Sequence, residues 1–263
     1  MCKGYYVFSA QTLKGETMTK GIVLYTKVGE DSAHMLAEVL QADIENPYKT
    51  GERDYSKYLY VFKFGFSKAI RAKRGCTFNR KTPTEIAIDK RKTFSALAGT
   101  GTTVEYTESL QEAQKWLEDG HVLAGRETTT GSNGEGLVYI QTLGELGDSP
   151  ATLWTKLVDE VQELRAYMWR NKVIALYVKT IKVSKGIFRF KLIPRSELYI
   201  HPQLVEIATN VYDKIGLDFC GVDIIADTAG KLNVLEVNSA PILFPYTIKQ
   251  LVKEINTEIM HNG

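Results

Sequence analysis

The sequence predicts an α/β protein built from α+β lobes, and three observations carry that prediction. Helix signals and strand signals alternate along most of its 263 residues, one stretch in the last third pairs two strands around a carboxylate cluster, and a glycine-rich loop separates two further strands. The pair of strands is the most informative. Residues 221–225 and Leu232–Asn238 read as a hairpin turning at residues 227–230. Alternation sets Glu236 and Asn238 on one face and Leu235 and Val237 on the other. The same register places Val222 and Ile224 with the aliphatics and Asp223 with Glu236 and Asn238. Three hard oxygen donors without His or Cys suit Mg²⁺, with Mn²⁺ as a substitute, and such an ion keeps waters and nucleotide phosphates as its other ligands. An ordinary amphipathic hairpin with a solvated acidic face is the rival reading.

Composition narrows the classes. A hydrophobic share of 44% and a charged share of 24% describe a chain able to bury a substantial core. A net charge of +2, with no dense basic face carrying interleaved aromatics, disfavours nucleic acid. Cys2, Cys76 and Cys220 match neither a disulfide framework nor a zinc site, which points to a reducing, cytoplasmic setting. No apolar run approaches the roughly 20 residues of a membrane span.

In chain order, the first 20 residues carry weak signals. Residues 21–27 read as a strand, Asp31 or Ser32 caps a helix with Met35, Leu36, Val39 and Leu40 on its apolar face, and residues 58–64 return as a strand. Thr82, Pro83 and Glu85 form a capping-box signature for a helix running to Ala98, ahead of Gly99. On that helix Lys90 falls in the stripe of Ile86, Phe94 and Leu97. A lysine aimed inward wants an anion, unless it snorkels to water along the apolar surface. Ser109 and Glu112 open another helix. Strands at 121–127 and 137–141 then flank the loop 128–136, whose Gly131, Gly134 and Gly136 let backbone N–H groups approach phosphate. The loop is neither a Walker loop nor a dinucleotide fingerprint, and many such loops bind nothing.

Residues 153–158 read as a strand carrying Lys156. Residues 163–169 and 173–179 follow as a hairpin with Glu163 and Arg165 on one face. A three-residue turn would set Lys179 on the face of Arg165, and a two-residue turn would reverse it. The rival is a solvated cross-strand charge pattern. Helices at 201–215 and 245–260 close the chain, the second with Ile248, Leu251, Ile255 and Ile259 at helical spacing.

These segments, in this order, resemble the ATP-grasp superfamily, and more closely its short ligase-like members from bacteriophages and bacteria, of the glutamate-ligase-like kind. The resemblance covers roughly residues 58–245. Asp89-Lys90 is similar to the family's first phosphate lysine. Leu123-Ala124-Gly125-Arg126 and the loop containing Gly131, Ser132, Gly134 and Gly136 are similar to its second phosphate cation and flexible loop. Thr155-Lys156-Leu157 resembles the strand whose backbone meets adenine, Glu163 the ribose-contacting acid, and Lys179 a further phosphate cation. The most specific string, residues 235–241, places Asp223, Glu236 and Asn238 on the magnesium ligands. Three positions depart from the pattern. Arg126 stands where many relatives have lysine, Gly221 where some amino-acid ligases have an arginine near the transition state, and Ile242 where relatives often have glycine.

The resemblance implies an ATP-grasp fold in which two lobes clamp ATP. Residues 1–80 would form a small preceding α/β lobe, 81–150 the central lobe and 151–263 the lobe with the metal site. The activity implied is ATP- and Mg²⁺-dependent ligation of a carboxylate to an amine through an acylphosphate, forming an amide or peptide bond in the cytoplasm, the host's if the gene is a phage's. Substrates would be small molecules or the carboxylates and amines of peptides and proteins, with neither nucleic acid nor membrane as partner. Arg165, Lys179 and Arg189 would be catalytic, with Arg189, Lys191 or Arg165 replacing the charge missing at Gly221. A phosphotransferase on the same fold, or a nucleotide-binding structural protein, would share most of these residues.

Overall fold

The computed structural model describes residues 21–52, 54–72, 77–130, 136–182, 187–193 and 202–262. Gly131, Ser132 and Gly134 lie outside the described residues, as does the side chain of Arg189.

Short apolar strands open the chain. β1 (Ile22–Tyr25), β2 (Asp43–Glu45), β3 (Val61–Phe64) and β4 (Thr77–Phe78) form a parallel sheet in the order β2-β1-β3-β4. β1 and β3 are buried along their whole length, as expected for central parallel strands covered on both faces. α1 (Glu30–Leu40) joins β1 to β2, and the four-residue α2 (Pro47–Thr50) follows β2. The expected buried face of α1 is corrected. Ser32, Ala33, Leu36 and Ala37 are buried, whereas Val39 is 54% exposed. Small side chains let this helix come close to its neighbours, and the Leu243 N–H donates to Ser32 Oγ at 2.9 Å.

The helix expected over 82–98 is two helices. α3 (Lys81–Ile88) ends at Asp89, whose backbone is extended, and α4 (Lys90–Leu97) begins immediately after it. The Asp89 carboxylate accepts from Arg91 N–H at 3.0 Å, so a local side-chain cap competes with helix continuation and starts a new N-terminus at Lys90. Thr82 does not cap α3. The helix begins at Lys81, and Glu85 pairs with Lys81 at 3.8 Å.

β5 (Tyr106–Thr107), α5 (Leu110–Glu118), β6 (Leu123–Arg126), β7 (Leu137–Ile140), α6 (Leu143–Asp148) and β8 (Leu153–Lys156) follow. Their strands make an antiparallel sheet in the order β5-β8-β6-β7, over which Ala113, Trp116, Leu146 and Trp154 bury one cluster. Ser109 caps α5, but Glu112 accepts from Thr107 Oγ1 at 2.7 Å, so the box expected there is half formed. The reciprocal box belongs to Thr142 and Glu145 on α6.

β9 (Glu160–Trp169), β10 (Lys172–Lys182), β11 (Ile187–Leu192), α7 (Pro202–Ile215), β12 (Phe219–Asp227), β13 (Leu232–Asn238) and α8 (Pro245–Asn262) complete the described chain. These strands form an antiparallel sheet in the order β11-β10-β9-β12-β13. One face is apolar where α7 covers it. Leu164, Ala166, Met168, Val222, Ile224, Val234 and Val237 lie beneath α7, with Ala87 of α3 and Leu97 of α4 in the same cluster. The opposite face changes character midway. At one end Tyr167, Tyr177, Trp169 and Phe219 join the core shared with the parallel sheet and α8; at the other lie Glu163, Arg165, Lys179, Asp223 and Glu236. Asn79 fastens the parallel sheet to β12, donating Nδ2–H to the Phe219 carbonyl at 2.8 Å and accepting from Phe219 N–H at 2.9 Å.

Candidate active site

Two β-bulges assemble the polar end of this sheet. On β13, Asp223 pairs with Glu236 but Ile224 pairs with Val234, which leaves Leu235 as the extra residue. Asp223, Glu236 and Asn238 therefore share a face, with Asn238 opposite Gly221. Leu235 does not join Val237, as strict alternation predicts. It packs toward Phe94, Val104, Leu153 and Ile225, and Val234 takes the apolar place instead.

On β10, the turn after Trp169 has two residues, which alone would send Lys179 to the wrong face. A bulge between Val173 and Ala175 reverses the parity, and Lys179 pairs with Glu163. The structure thus brings Glu163, Arg165, Lys179, Asp223, Glu236 and Asn238 to one face. Arg189 is a correction. It pairs with Thr180 and Lys191 pairs with Val178, register positions on the opposite face from Lys179. Arg165 is consequently the cation beside Gly221. A Cβ at Gly221 would stand 2.7 Å from Pro241 Cβ and 3.8 Å from Arg165 Cδ, so this position has no room for a side chain of its own.

The charges are paired in order. Arg165 donates from Nε to Asp223 Oδ1 at 2.5 Å and from Nη2 to Oδ2 at 2.6 Å, a two-point grip that a lysine could not make. Burial, the largest single influence on Arg165, opposes its charge, but the bonds and field of Asp223 prevail and raise its pKa above the ordinary arginine value. Lys179 bonds Glu163 and reaches Asp223 Oδ2 at 3.4 Å. Lys90, the first residue of α4 and only 6% exposed, stands 3.4 Å from Glu236 Oε2. The inward lysine has its anion.

Arg126, at the end of β6, joins from the four-stranded sheet. Burial lowers its pKa while the Glu236 carboxylate, then Tyr139, act in the opposite direction. Its buried Nε has no hydrogen-bond partner among the described residues. An orphaned guanidinium N–H beside carboxylates is a donor awaiting an acceptor. The loop after Arg126 is closed at its base by Glu127 N–H donating to the Gly136 carbonyl at 2.9 Å, and Gly136 has the positive φ of 66° that glycine permits. Lys90 N–H donates to the Thr129 carbonyl at 2.8 Å and so ties α4 to this loop.

Thr155, Lys156 and Leu157 lie where β8 leaves the four-stranded sheet toward β9. Thr155 is buried, with Oγ1 3.4 Å from the Ala124 carbonyl. Lys156 N–H donates to the Glu105 carbonyl at 3.1 Å and Leu157 N–H to that of Val122 at 2.8 Å, so both amides are already used. The Lys156 ammonium pairs with Glu105 at 2.7 Å and covers the Trp116 ring.

Asp223, Glu236 and Asn238 fit a hard divalent cation, since two carboxylates and an amide oxygen are what Mg²⁺ uses when phosphates and waters complete its shell. No group of three or more His, Cys, Asp or Glu arranged for a metal occurs among the described residues. Reading the residues alone missed Tyr167 and gave Pro241, the last residue of the 235–241 string, no role. The Tyr167 hydroxyl donates to the Ile242 carbonyl at 2.5 Å, and Pro241 covers Gly221, so both hold the segment that follows Asn238. The signal for Tyr167 was its place two residues beyond Arg165 on the same face.

The architecture is the ATP-grasp fold. Residues 158–262 match the RimK-like ATP-grasp domain. Among solved structures, the chain is similar to the ATP-grasp ligase PsnB complexed with a minimal precursor, at 12% identity and a TM-score of 0.67, over 90% of this chain and 98% of that one. It is also similar to D-alanyl-alanine synthetase A from Vibrio cholerae, at 13% identity and a TM-score of 0.66, over 94% and 99%. D-alanine–D-alanine ligase from Bacillus anthracis complexed with ATP aligns at 14% identity and a TM-score of 0.62, over 94% and 100%. No curated protein sequence matches. The resemblance to the ATP-grasp superfamily read from the motifs is thus upheld by both the domain match and the fold. No helix among the described residues is long and apolar enough to cross a membrane.

Proposed function

We propose that the chain is an ATP- and Mg²⁺-dependent carboxylate–amine ligase that forms an amide through an acylphosphate in the cytoplasm. The observation that carries this reading is the meeting of Lys90, Arg126, Arg165 and Lys179 with Asp223 and Glu236 on one sheet face, at the junction with the four-stranded sheet. Lys90, Arg126 and Lys179 bind phosphate oxygens, Thr155 to Leu157 border the adenine, and Glu163 accepts from the ribose. Asp223, Glu236 and Asn238 hold Mg²⁺, which supplies Lewis-acid charge neutralisation when bound. Arg165 lies between the γ-phosphate and the substrate carboxylate and orients one toward the other.

A carboxylate oxygen then bonds the γ-phosphorus as ADP leaves. The amine nitrogen bonds the acyl carbon, phosphate departs with the carbon–oxygen electron pair, and the amine loses a proton. PsnB is described with precursor peptides and with Mg and ADP, which makes peptide carboxylates an acid class to test beside free amino acids.

The test is calorimetric titration with ATP, with and without Mg²⁺, of the wild type and Glu236→Gln, followed by hydroxylamine trapping during ADP release. Metal-dependent binding lost in the variant, with acyl hydroxamate formed by the wild type, is expected. ADP release without hydroxamate would favour phosphoryl transfer alone, and no nucleotide binding would leave only the fold.

A further inference from the structure

The carboxylates proposed as metal ligands are the same ones that the proposed phosphate-binding and carboxylate-orienting cations already hold. Arg165 occupies both oxygens of Asp223, Lys179 reaches one of them, and Lys90 stands against Glu236. We infer that Lys90 and Arg165 act as stand-ins for the metal on Glu236 and Asp223, so that a divalent cation enters only together with a polyphosphate that draws those cations away. This rests on the nucleotide site proposed above and states how that site is regulated.

Charge balance gives the reason. In the described cluster Lys90, Arg126, Arg165 and Lys179 face Glu163, Asp223 and Glu236, so the carboxylates a metal would use already have cations against them. A lone divalent ion would add two positive charges beside these cations and bring no anion to balance them. It would also have to break into a buried two-point ion pair. A magnesium–triphosphate complex is negative overall. Its oxygens offer Lys90, Arg126 and Arg165 new acceptors as the carboxylates turn to the metal. Each buried charge then keeps a partner throughout, as the low-dielectric environment demands. Lys90 is the more readily exchanged of the two, since it stands 3.4 Å from Glu236, whereas Arg165 has bonds of 2.5 and 2.6 Å to Asp223.

One consequence runs against ordinary expectation: removing Lys90 should improve the binding of metal by the protein alone. The probe is Mn²⁺ without nucleotide, its free concentration followed by electron paramagnetic resonance against the full chain. Wild type should bind weakly, Lys90→Gln should bind about tenfold more tightly, Lys90→Arg should resemble wild type, and Lys90→Gln/Glu236→Gln should lose the gain. Circular dichroism checks that each variant is folded. If Lys90→Gln does not fold, the wild-type and Lys90→Arg titrations still decide, because tight Mn²⁺ binding by either overturns the inference. Binding of Mg²⁺ with a non-hydrolysable ATP analogue is measured on the wild type in parallel. If that complex binds while Lys90→Gln leaves Mn²⁺ affinity unchanged or lowers it, the exchange is wrong and the nucleotide site stands. If the complex does not bind at all, the site and the exchange fall together.

Discussion

Arg165 on β9 and Asp223 on β12 face each other in register across neighbouring strands and are bonded at two points, both residues no more than 9% exposed. The pair is therefore a structural joint as well as a part of the site. Asp223→Asn would leave the guanidinium buried with its main counter-charge gone, at a cost of about 3 kcal/mol. A lower urea midpoint with an unchanged slope is the expected result. Replacing both residues, as Arg165→Met with Asp223→Leu, should recover much of that loss.

Arg126 presents the opposite case. Its charge is opposed by burial and one of its donors has no partner among the described residues. Arg126→Met should raise stability by about 1 kcal/mol while weakening binding of the Mg²⁺–nucleotide complex. Denaturation and calorimetry on the same sample separate the two effects. A variant that lost stability and kept its affinity would show that this arginine serves packing alone.

Gly221→Ala tests the close approach of β12 to the segment after β13. The added methyl would stand 2.7 Å from Pro241 Cβ, so the segment has to shift. A loss of about 1–3 kcal/mol is expected from overpacking, accompanied by weaker nucleotide binding because Asn238 lies at the start of that segment. Thermal melting and nucleotide titration check it.

Lys63 lies on β3 away from the site, 1% exposed, with its ammonium donating to the Lys68 carbonyl at 2.9 Å. Burial lowers its pKa from 10.5 to about 8, a shift that Glu85 opposes. Below pH 8 both folded and unfolded chains carry the proton, and the penalty of burying the charge is fully present. Between about 8 and 10.5 the unfolded chain binds the proton better, so stability rises with pH and the penalty is relieved. Lys63→Met should be more stable than wild type at pH 7, by up to about 3 kcal/mol, and the difference should close by pH 10.5. Urea titrations across that range measure it.

The parts legible in the sequence were those governed by period and by chemistry that repeats locally. Asp223, Glu236 and Asn238 could be grouped because strand alternation is rigid, and α7 and α8 could be drawn because their apolar spacing is long and regular. The bulges at Leu235 and Ile174 left no mark, since an extra residue in one strand is defined only by the partner strand. Nor did the break at Asp89, where a side-chain cap outweighs a helical pattern that continues on both sides. Arg189 was drawn to the site by its charge, and only the pairing of β11 with β10 shows which face its position occupies.

The bulge on β10 makes the chemistry of this face a matter of odd and even. Ile174 is the one residue that β10 has in excess of β9 between Lys172 and Lys179, so a chain lacking it could pair regularly from the turn onward and still set Lys179 opposite Glu163. Losing a residue beyond the bulge, with the bulge kept, would instead bring the lysine opposite Leu164, into the layer beneath α7. Among descendants of this chain, changes of length in this strand should therefore survive where the bulge absorbs them and fail beyond it.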